Sequence, residues 1–563
     1  MSKSNHKTGS ARAKLRFWGW GYADEQLADD ELQMIDLMLK ELMPGGSVEV
    51  DQPQLDDFEL PPPRAEVPQD FLVFTSISKY DRLVHSYGKS YADLVRMLLR
   101  RVDNPPDWVC FPRDESDIER ILAHATENNI AVIPFGGGTS VCGAVEPAVG
   151  NSFGATISLD LEHFNRVLEI DQTSRAARVQ AGILGPDLEA ALRPHGLTLR
   201  HFPQSFKFST LGGWIATRAG GHFATLYTHV DDFVESTRMI TPRGIMHTRR
   251  LPGSGAGPSP DRMVLGSEGI LGVITEAWVK LQQVPRWRAS TSLRYANFSH
   301  GADAVRRIAQ AGLYPSNCRL LDQTEAHWSG LDGRRGALLV IGFESADHPQ
   351  TASMDRALAV LQSNATESAD IVYSDTQQDA PVATDGAVAQ WRNAFLRMPY
   401  YRNRLVACGL IADTFETAIT WDRWEVMYRT VVSGMQAAMV EISGQPGRIS
   451  CRFTHVYPDG PALYFSFFAI GSRRGDLQAA LQMWRELKMR ANQLVISLGG
   501  TITHHHAVGR DHRSGYHAQS PDLYRGMLAA AKVEVDPQGV LNPGVLIDPI
   551  GRNVGPSGVL GDS

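Results

Sequence analysis

The sequence predicts an α+β protein of two or three domains, and three observations carry that prediction. From Trp108 onward, short β-rich runs alternate with helical segments. The chain has 563 residues, which is more than one hydrophobic core encloses. Its longest apolar runs fall far short of the roughly 20 residues that a membrane-spanning helix needs. The chain is therefore expected to be globular and soluble.

The first 104 residues are expected to form a helical region. Residues 30–43, DELQMIDLMLKELM, place their leucines and isoleucine on one helical face. This pattern predicts a helix packed on the protein, with a membrane-surface helix as the alternative. The run PPPR at 61–64 predicts an extended connector, and residues 90–102 predict a second helix.

Residues 105–285 are expected to form the next domain. The runs WVCF, AVIPF, ATISLDL and ARVQAGI are typical of short strands, and residues 115–128 and 185–195 are typical of helices. The domain is predicted to end near Val284 and Pro285, where a proline follows the strand-like run VKLQQV.

Three segments rich in glycine and hydroxyl side chains follow one another in this domain. In the first, AVIPFGGGTSVCG at 131–143, three glycines allow positive φ and let backbone N–H groups approach a pyrophosphate. It is not the GxGxxG pattern of nicotinamide sites, because Val141 stands where the third glycine belongs. The second segment is 203–221 and the third is 266–275. Together they predict a single extended ligand that carries phosphate.

The composition and the two chain ends indicate which partners and which cellular location to expect. A net charge of −7 gives no general attraction to nucleic acid or anionic membranes. Five cysteines lie far apart without a CxxC pair, which argues against a zinc ribbon or a disulfide framework. The N terminus lacks the apolar core of a secretory signal, and the C terminus does not end in SKL. We therefore expect no nucleic-acid partner and a cytoplasmic protein that is not secreted.

Three adjacent histidines, His504, His505 and His506, stand in GGTITHHHAVGRDH. Side chains alternate across a strand and turn by about 100° per residue on a helix, so three neighbouring rings cannot share one face. The run is therefore expected in a loop or a functional site. Imidazole is also the side chain whose ordinary pKa lies closest to neutrality, as acid-base catalysis requires.

The order PFGGGTS, FSTLGGW and SEGILGVIT resembles the FAD-binding domain of the vanillyl-alcohol oxidase and para-cresol methylhydroxylase (PCMH) type. A closer resemblance, over nearly the whole chain, is to the alkyldihydroxyacetonephosphate synthase family, in a bacterial-type form. It is carried by WGWGYAD, CRLLD, FETAITWDR, ALYFSF and, most specifically, the histidine triplet with AVG. The resemblance implies a two-subdomain flavin domain facing an α+β cap domain at 286–498. A C-terminal segment at 499–550 would return to the flavin domain, before a tail at 551–563.

The same resemblance implies one FAD, held noncovalently. The GGGTS loop would cradle the pyrophosphate, and the other two segments would line the rest of the cofactor. The implied cofactor-binding residues are Pro134, Gly136, Gly137, Gly138, Thr139, Ser140, Pro203, Ser209, Thr210, Gly212, Gly213, Thr217, Ala219, Glu268, Gly269, Gly272 and Ile274. Cys142 lies beside the loop and is interpreted as a small buried residue, with a covalent flavin link as the alternative.

The resemblance also implies the reaction, in which a long-chain alcohol replaces the acyl chain of acyl-dihydroxyacetone phosphate without net oxidation. Arg402 in YYRNR and Arg319 in CRLLD would serve this lipid-like phosphorylated substrate, since a guanidinium fork suits a phosphate. His505 would be the principal acid-base residue, with His504 and His506 shaping the pocket. Tyr464 in ALYFSF would hydrogen-bond an oxygen that gains charge. A homodimer, and peripheral contact with the inner face of the membrane, are further expectations.

The alternative is a flavin-dependent 2-hydroxyacid dehydrogenase of the D-lactate or glycolate type, or another FAD-linked oxidase. The 2-hydroxyacid dehydrogenases resemble the chain in the same flavin segments. Their substrate metal is typically held by a histidine pair around DGN and by a Glu-His pair before a glycine. Here HVYPDGPALY keeps His455 but has Tyr464 for the second histidine, and His505 replaces the glutamate. We therefore predict no metal site, although these histidines are capable zinc or iron ligands. A noncatalytic flavoprotein is disfavoured because the titratable groups are retained.

Overall fold

The computed structural model describes residues 13–227, 229–329, 334–375, 387–549, 551–552 and 554. Its helices are α1 Asp29–Leu42, α2 Lys79–Val84, α3 Tyr91–Leu98, α4 Glu115–Glu127, α5 Gly185–Leu192, α6 Leu211–Thr217, α7 Ala224–Tyr227, α8 Val230–Phe233, α9 Asp261–Val264, α10 Phe298–Gln310, α11 Gln323–Trp328, α12 Thr351–Leu361, α13 Ala387–Ala407, α14 Trp424–Ser443, α15 Leu477–Ser497, α16 Arg513–Gln519 and α17 Asp522–Val535. Its strands are β1 Thr75–Ser76, β2 Trp108–Cys110, β3 Ile130–Phe135, β4 Ala155–Asp160, β5 Val167–Asp171, β6 Ala176–Gln180, β7 Leu197–Thr198, β8 Val234–Thr241, β9 Gly244–His247, β10 Val273–Lys280, β11 Gln282–Gln283, β12 Trp287–Tyr295, β13 Asn317–Leu321, β14 Ala337–Ser345, β15 Ala365–Ser368, β16 Val372–Asp375, β17 Leu410–Ala418, β18 Arg448–Val456 and β19 Pro461–Ile470.

Two sheets build the part of the chain that carries the three glycine-rich segments. The first has the order β1-β2-β4-β3, with β2, β4 and β3 parallel, and the second is the antiparallel sheet β5-β6-β10-β8-β9. Helix α4 connects the parallel strands β2 and β3, as a parallel pair requires. It begins at Asp114, whose side chain accepts from Asp117 N, and it buries Ile118, Ile121 and Leu122 as one stripe. The glycine loop therefore starts from a firmly packed strand, β3.

The second half is a large antiparallel sheet in the order β15-β12-β14-β13-β18-β19-β17, with β16 pairing β12. Its register places Glu416 opposite Tyr464, and Tyr464 opposite Arg452, so the three side chains lie side by side across β17, β19 and β18. A register shift between Phe453 and His455 interrupts β18 at the same place. Of the predicted catalytic residues, Tyr464 lies on β19 and Arg319 lies on β13.

Helix α1 packs on the protein, as the apolar stripe of residues 30–43 predicts. Its buried Ile35, Met38 and Leu42 share a core with Leu405 and Phe468. Residues 1–12 of the predicted N-terminal region lie outside the described residues, as does most of the predicted tail. Among the helices described, none combines the length and the apolar character needed to cross a bilayer.

The chain end lies against the first sheet. Val132 N donates to Val540 O at 2.8 Å, and Asn542 N donates to Val132 O at 2.8 Å, which adds a parallel bridge beside β3. Lys532 is buried and donates to Ile270 O and Leu541 O, so the last helix is tied to the third glycine-rich segment. The part of the chain that follows the three histidines is thus anchored to the first sheet and to the third glycine-rich segment.

Candidate active site

The glycine loop after β3 packs directly on the second glycine-rich segment. A Cβ at Gly136 would stand 2.4 Å from Thr210 Oγ1, and one at Gly137 would stand 1.8 Å from Phe208 O. Gly138 has a φ of +62°, a conformation that glycine adopts without strain. The backbone of the loop therefore approaches the second segment as closely as it can, and larger residues do not fit.

The third segment joins the flavin domain to the loop that follows the histidines. Glu268 is buried, and its carboxylate accepts from Val508 N and Gly509 N, both at 2.8 Å. Burial raises the pKa of Glu268 to about 7, although the two backbone N–H groups lower it. Asn542 Nδ2 donates to the Glu268 backbone oxygen at 2.7 Å, which fixes the turn from the other side.

One cavity is lined by all three segments and by the cap strands. Each residue that the resemblance assigns to the cofactor lines it: Pro134, Gly136, Gly137, Gly138, Thr139, Ser140, Pro203, Ser209, Thr210, Gly212, Gly213, Thr217, Ala219, Glu268, Gly269, Gly272 and Ile274. Asn542 also lines it, and its buried Oδ1 has no partner among the described residues. A glycine cradle and an unpaired acceptor in one cavity fit a bound FAD.

Five of the six predicted catalytic residues line the same cavity, namely Tyr464, His505, His506, Arg402 and Arg319. His504 is not among the lining residues, and its role in shaping the pocket stays a prediction. Its Nε2 lies 3.0 Å from Tyr457 Oη instead. His504 and His505 point in different directions because adjacent side chains in a tight loop point apart.

Glu416 on β17 explains how three histidines can stand side by side. Its Oε1 accepts the backbone N–H of His504 at 3.1 Å, of His505 at 2.6 Å and of His506 at 2.7 Å. Thr503 Oγ1 donates to the same oxygen at 3.1 Å. Burial would raise the pKa of Glu416, but the neighbouring histidines hold it well below its usual range. A buried carboxylate thus shapes the loop.

The imidazoles of this loop contact one another and Glu416. His505 Nδ1 lies 2.5 Å from Glu416 Oε2 and 3.1 Å from His504 Nδ1. Burial lowers the pKa of His506 to about 4 and that of His504 well below its usual value. His504 and His506 are therefore neutral at physiological pH, while His505 has the carboxylate as its partner.

The cap side of the cavity is cationic. Arg319 donates to His222 O at 3.2 Å, and burial lowers its pKa to about 9. Arg402 Nη2 donates to Asp413 at 2.8 Å, while its buried Nε has no partner among the described residues. Arg452 pairs with Glu325 and lies 3.9 Å from the Tyr464 ring centroid. Three guanidinium groups here face two carboxylates, a balance that favours an anionic ligand.

Tyr464 stands between the cations and the histidines. Its hydroxyl donates to Thr414 Oγ1 at 3.1 Å, and its ring stacks on His505 with centroids 6.1 Å apart. Burial raises the pKa of Tyr464, so the phenol keeps its proton. Because that proton is directed to Thr414, the phenolic oxygen can also accept a hydrogen bond from a substrate.

Sequence reasoning missed several residues of the site. These are Glu416, Tyr457, His229, Arg452 and Glu325. Glu416 gave a usable signal, because it is an acidic residue inside the strand-like run ADTFETA. Side chains alternate along a strand, so such a residue lies either on the buried face or on the exposed face. Tyr457 contacts His504, 47 residues away, and His229, 228 residues away. No local sequence pattern indicates these pairs.

Among the described residues, two groups of side chains have donor atoms close enough to hold a metal ion. They are His229 with His455 and His504, and Glu416 with His504 and His505, with ligand atoms within 4.8 Å of one another. Several of these atoms already contact protein partners, including His229 Nε2, His504 Nε2 and His505 Nδ1. The absence of a metal stays a prediction.

Cys142 lies beneath the glycine loop, and its thiol donates to His506 O at 3.2 Å. Burial raises the pKa of Cys142 well above its usual value, so the thiol is protonated and a poor nucleophile. This supports the prediction of a noncovalent flavin, which remains a prediction.

Comparison with known proteins places the chain among flavin-dependent enzymes. The FAD binding domain family matches residues 106–249, and the C-terminal domain of FAD linked oxidases matches residues 284–546. The predicted α+β fold, with a flavin domain and a cap, is confirmed, and FAD is the cofactor. The class of protein is therefore an FAD-dependent enzyme of the FAD-linked oxidase architecture.

Individual relatives narrow the family. The alkyldihydroxyacetonephosphate synthase of Dictyostelium discoideum is 30% identical over 502 residues, covering 84% of this chain and 78% of the relative. A solved alkyldihydroxyacetonephosphate synthase superimposes with a TM-score of 0.77 at 25% identity, covering 94% of this chain and 98% of the other. A glycolate oxidase subunit of Bacillus subtilis is 27% identical over 475 residues, covering 83% and 92%. The chain belongs to the alkyldihydroxyacetonephosphate synthase family.

Proposed function

We propose that this protein exchanges the acyl chain of acyl-dihydroxyacetone phosphate for a long-chain alcohol, and so makes the ether bond of an ether lipid. One observation carries the proposal: a single cavity brings the flavin segments together with Arg319, Arg402, Tyr464 and His505. A cationic wall, a phenol and an imidazole are the groups that a phosphorylated ketone with a leaving acid requires.

The substrate phosphate is bound by arginine side chains of the cap. Arg402 uses one Nη for Asp413 and keeps a buried Nε without a protein partner among the described residues. Arg319 lies on the adjacent part of the wall and is buried. Guanidinium groups bind phosphate bidentately, and in a buried cavity this interaction is little screened by salt.

His505 is the group that moves a proton. Its Nδ1 lies 2.5 Å from the Glu416 carboxylate, which favours a proton on Nδ1 and leaves Nε2 with the lone pair that accepts a proton from the incoming alcohol. Tyr464 accepts or donates a hydrogen bond at the carbonyl side of the substrate. When bound, FAD supplies the electron-accepting ring system at which the substrate carbon exchanges its oxygen substituent.

Apolar side chains provide a wall for the fatty chains. Trp328, Met398, Leu405, Ala412 and Phe468 line the cavity and pack together in one hydrophobic cluster. Burying a long alkyl chain there contributes about 0.8 kcal/mol per methylene group. This wall suits long-chain acyl and alcohol groups better than small hydroxy acids.

We further propose a cytoplasmic homodimer that contacts the inner face of the membrane peripherally. Exposed apolar side chains support contacts of this kind, since Leu523 and Met527 are 86% and 70% exposed, one turn apart on α17. Leu72 and Val73 form another such pair, at 52% and 67% exposure. Sedimentation velocity tests the dimer, and co-sedimentation with anionic lipid vesicles tests the membrane contact.

The decisive assay is anaerobic and starts from purified holoenzyme. Incubation with acyl-dihydroxyacetone phosphate and a long-chain alcohol is expected to yield the ether product without stoichiometric reduction of an electron acceptor. The same preparation is also offered D-lactate and glycolate with an artificial acceptor. Absence of ether product, together with chelator-sensitive reduction of that acceptor, would move the assignment to a 2-hydroxyacid dehydrogenase.

A further inference from the structure

Asp413 on β17 places a buried carboxylate in the wall of the cavity, next to the arginine that is proposed to bind the substrate phosphate. Its side chain is 9% exposed, and both Asp413 and Arg402 line the cavity. A free carboxylate here would repel a phosphate, because like charges in a poorly hydrated cavity are little screened. The site therefore binds an anion only if other protein groups offset this negative charge.

Protein donors occupy both oxygens of Asp413. Oδ1 accepts a hydrogen bond from Arg402 Nη2 at 2.8 Å. Oδ2 accepts from Trp484 Nε1 at 2.8 Å and from Lys488 Nζ at 3.4 Å. Burial would raise the pKa of Asp413, but Lys488 and Arg402 hold it below its usual value, so the carboxylate is ionised at neutral pH.

The two donors to Oδ2 come from one helix. Trp484 and Lys488 stand one turn apart on α15, so both reach Asp413 from the same face of that helix. Lys488 Nζ also donates at 2.5 Å to Thr414 O, a carbonyl of the last strand in the order of its sheet. The Trp484 ring stacks on Tyr91 of α3 with centroids 5.6 Å apart. The side chains that hold Asp413 are therefore themselves held in the cap core.

The charges of this group leave Arg402 available to an anion. Asp413 and Lys488 offset each other, and Lys488 is not among the described residues that line the cavity. Arg402 thus keeps its positive charge in the wall while one hydrogen bond fixes its Nη2. A guanidinium fixed at one nitrogen presents its other N–H groups in a defined plane, as bidentate binding of phosphate requires.

We propose that Asp413 is a positioning residue that orients Arg402 toward the substrate phosphate and is itself held by Trp484 and Lys488 of α15. Asp413 does not bind the substrate but acts through the guanidinium. The proposal rests on the proposed function, since it requires a phosphorylated substrate in this cavity. Orientation of Arg402 and simple compensation of charge predict opposite effects when the charge of Asp413 is removed.

The first test is Asp413→Asn in the ether-forming assay of the holoenzyme. This variant keeps the size of the side chain and weakens the charge-assisted bond to Arg402, so KM for acyl-dihydroxyacetone phosphate should rise about tenfold. The value of kcat, KM for the alcohol and the FAD content should stay parental, because only substrate binding is affected. If Asp413 only compensated charge, the wall would become more positive and this KM would fall. A lower or unchanged KM would overturn the proposal.

Trp484→Phe tests the support from α15 without changing any charge. Phenylalanine keeps an apolar ring against Tyr91 but lacks the N–H that donates to Asp413. KM for the phosphorylated substrate should rise about threefold, as the loss of one hydrogen bond predicts. Parental KM in Trp484→Phe would overturn the role given to α15. This variant also decides the proposal if Asp413→Asn fails to fold.

A double variant shows whether Asp413 acts through Arg402. In an Arg402→Met background, Asp413→Asn should raise KM no further, because no guanidinium is left to orient. The same proportional rise in that background as in the parent would overturn the proposal.

The matched control is Asp107→Asn. Asp107 is another buried aspartate that pairs with an arginine, Arg64, at 2.8 Å, but neither residue lines the cavity. Its kcat and KM values should stay parental. A rise in KM equal to that of Asp413→Asn would trace the effect to the loss of any buried charge pair, and would overturn the proposal.

A second measurement does not depend on turnover. Isothermal titration calorimetry with dihydroxyacetone phosphate should give a Kd about tenfold higher for Asp413→Asn than for the parent holoenzyme. Unphosphorylated dihydroxyacetone should not distinguish the two proteins. An equal or lower Kd in the variant, or no binding to the parent, would overturn the proposal. A parent that binds dihydroxyacetone phosphate but makes no ether product would refute the proposed function, and the two Kd values would still decide the role of Asp413.

Discussion

Replacing Glu416 by glutamine is expected to loosen the histidine loop and stop catalysis. The carboxylate is 3% exposed, and one of its oxygens accepts three consecutive backbone N–H groups. A neutral amide oxygen accepts each bond more weakly than a carboxylate, by about 1 kcal/mol. The loop should therefore lose about 3 kcal/mol of local stability. The NH2 group of the new glutamine would also face the ring Nδ1–H of His505, so two hydrogen-bond donors would lie against each other.

Hydrogen exchange measures this loss directly. Because about 1.4 kcal/mol corresponds to a tenfold change, 3 kcal/mol predicts roughly 100-fold faster exchange of the amides of residues 504–506. Turnover should fall by about 10²–10⁴-fold, since His505 loses its orienting partner. Glu425→Gln is the matched control, because Glu425 pairs with Arg429 at the start of α14, away from the cavity. Unchanged exchange in Glu416→Gln would refute the structural role given to this carboxylate.

Three further predictions concern the cofactor, the phosphate and pH. Gly137→Ala should purify without flavin absorbance, because its Cβ would stand 1.8 Å from Phe208 O. Arg402→Lys should raise KM or lower kcat at normal FAD content, because the point charge of lysine replaces a guanidinium that can bind phosphate through two nitrogens. Unchanged kcat and KM would show that Arg402 does not bind the substrate. Burial raises the folded pKa of Glu268 to about 7, so the free energy of unfolding should fall as pH rises from about 4.5 to 7. Hydrogen exchange in the parent and in Glu268→Gln, which should lack this dependence, checks the sign.

The glycine-rich segments could be predicted from the sequence because their constraint is local. Where the backbone approaches Thr210 or Phe208 so closely that a Cβ would clash, only glycine fits. This requirement is therefore visible in the sequence as a run of glycines. The strands and helices before and after them follow from periodicity and capping in the same way. The cofactor class followed from the order of three such segments, and the family matches confirm it.

The catalytic side of the cavity was less accessible to sequence reasoning. The triplet was correctly expected outside regular structure, but the reason for it, the carboxylate of Glu416, lies nearly 90 residues earlier. Alternation along β17 places Glu416 on the same face as Thr414 without indicating which loop it receives. The Arg452-Glu325 pair likewise forms between a strand and a helix that are distant in sequence. Long-range pairing of buried charges has no local signature.

The site is assembled from three parts of the chain that meet at the histidine loop. The C-terminal segment supplies His505, the cap supplies Glu416, and the flavin domain supplies His229. His505 Nδ1 lies beside the Glu416 carboxylate only because the C-terminal loop is docked against β17. Acid-base competence should therefore depend on the docking of the histidine loop against β17.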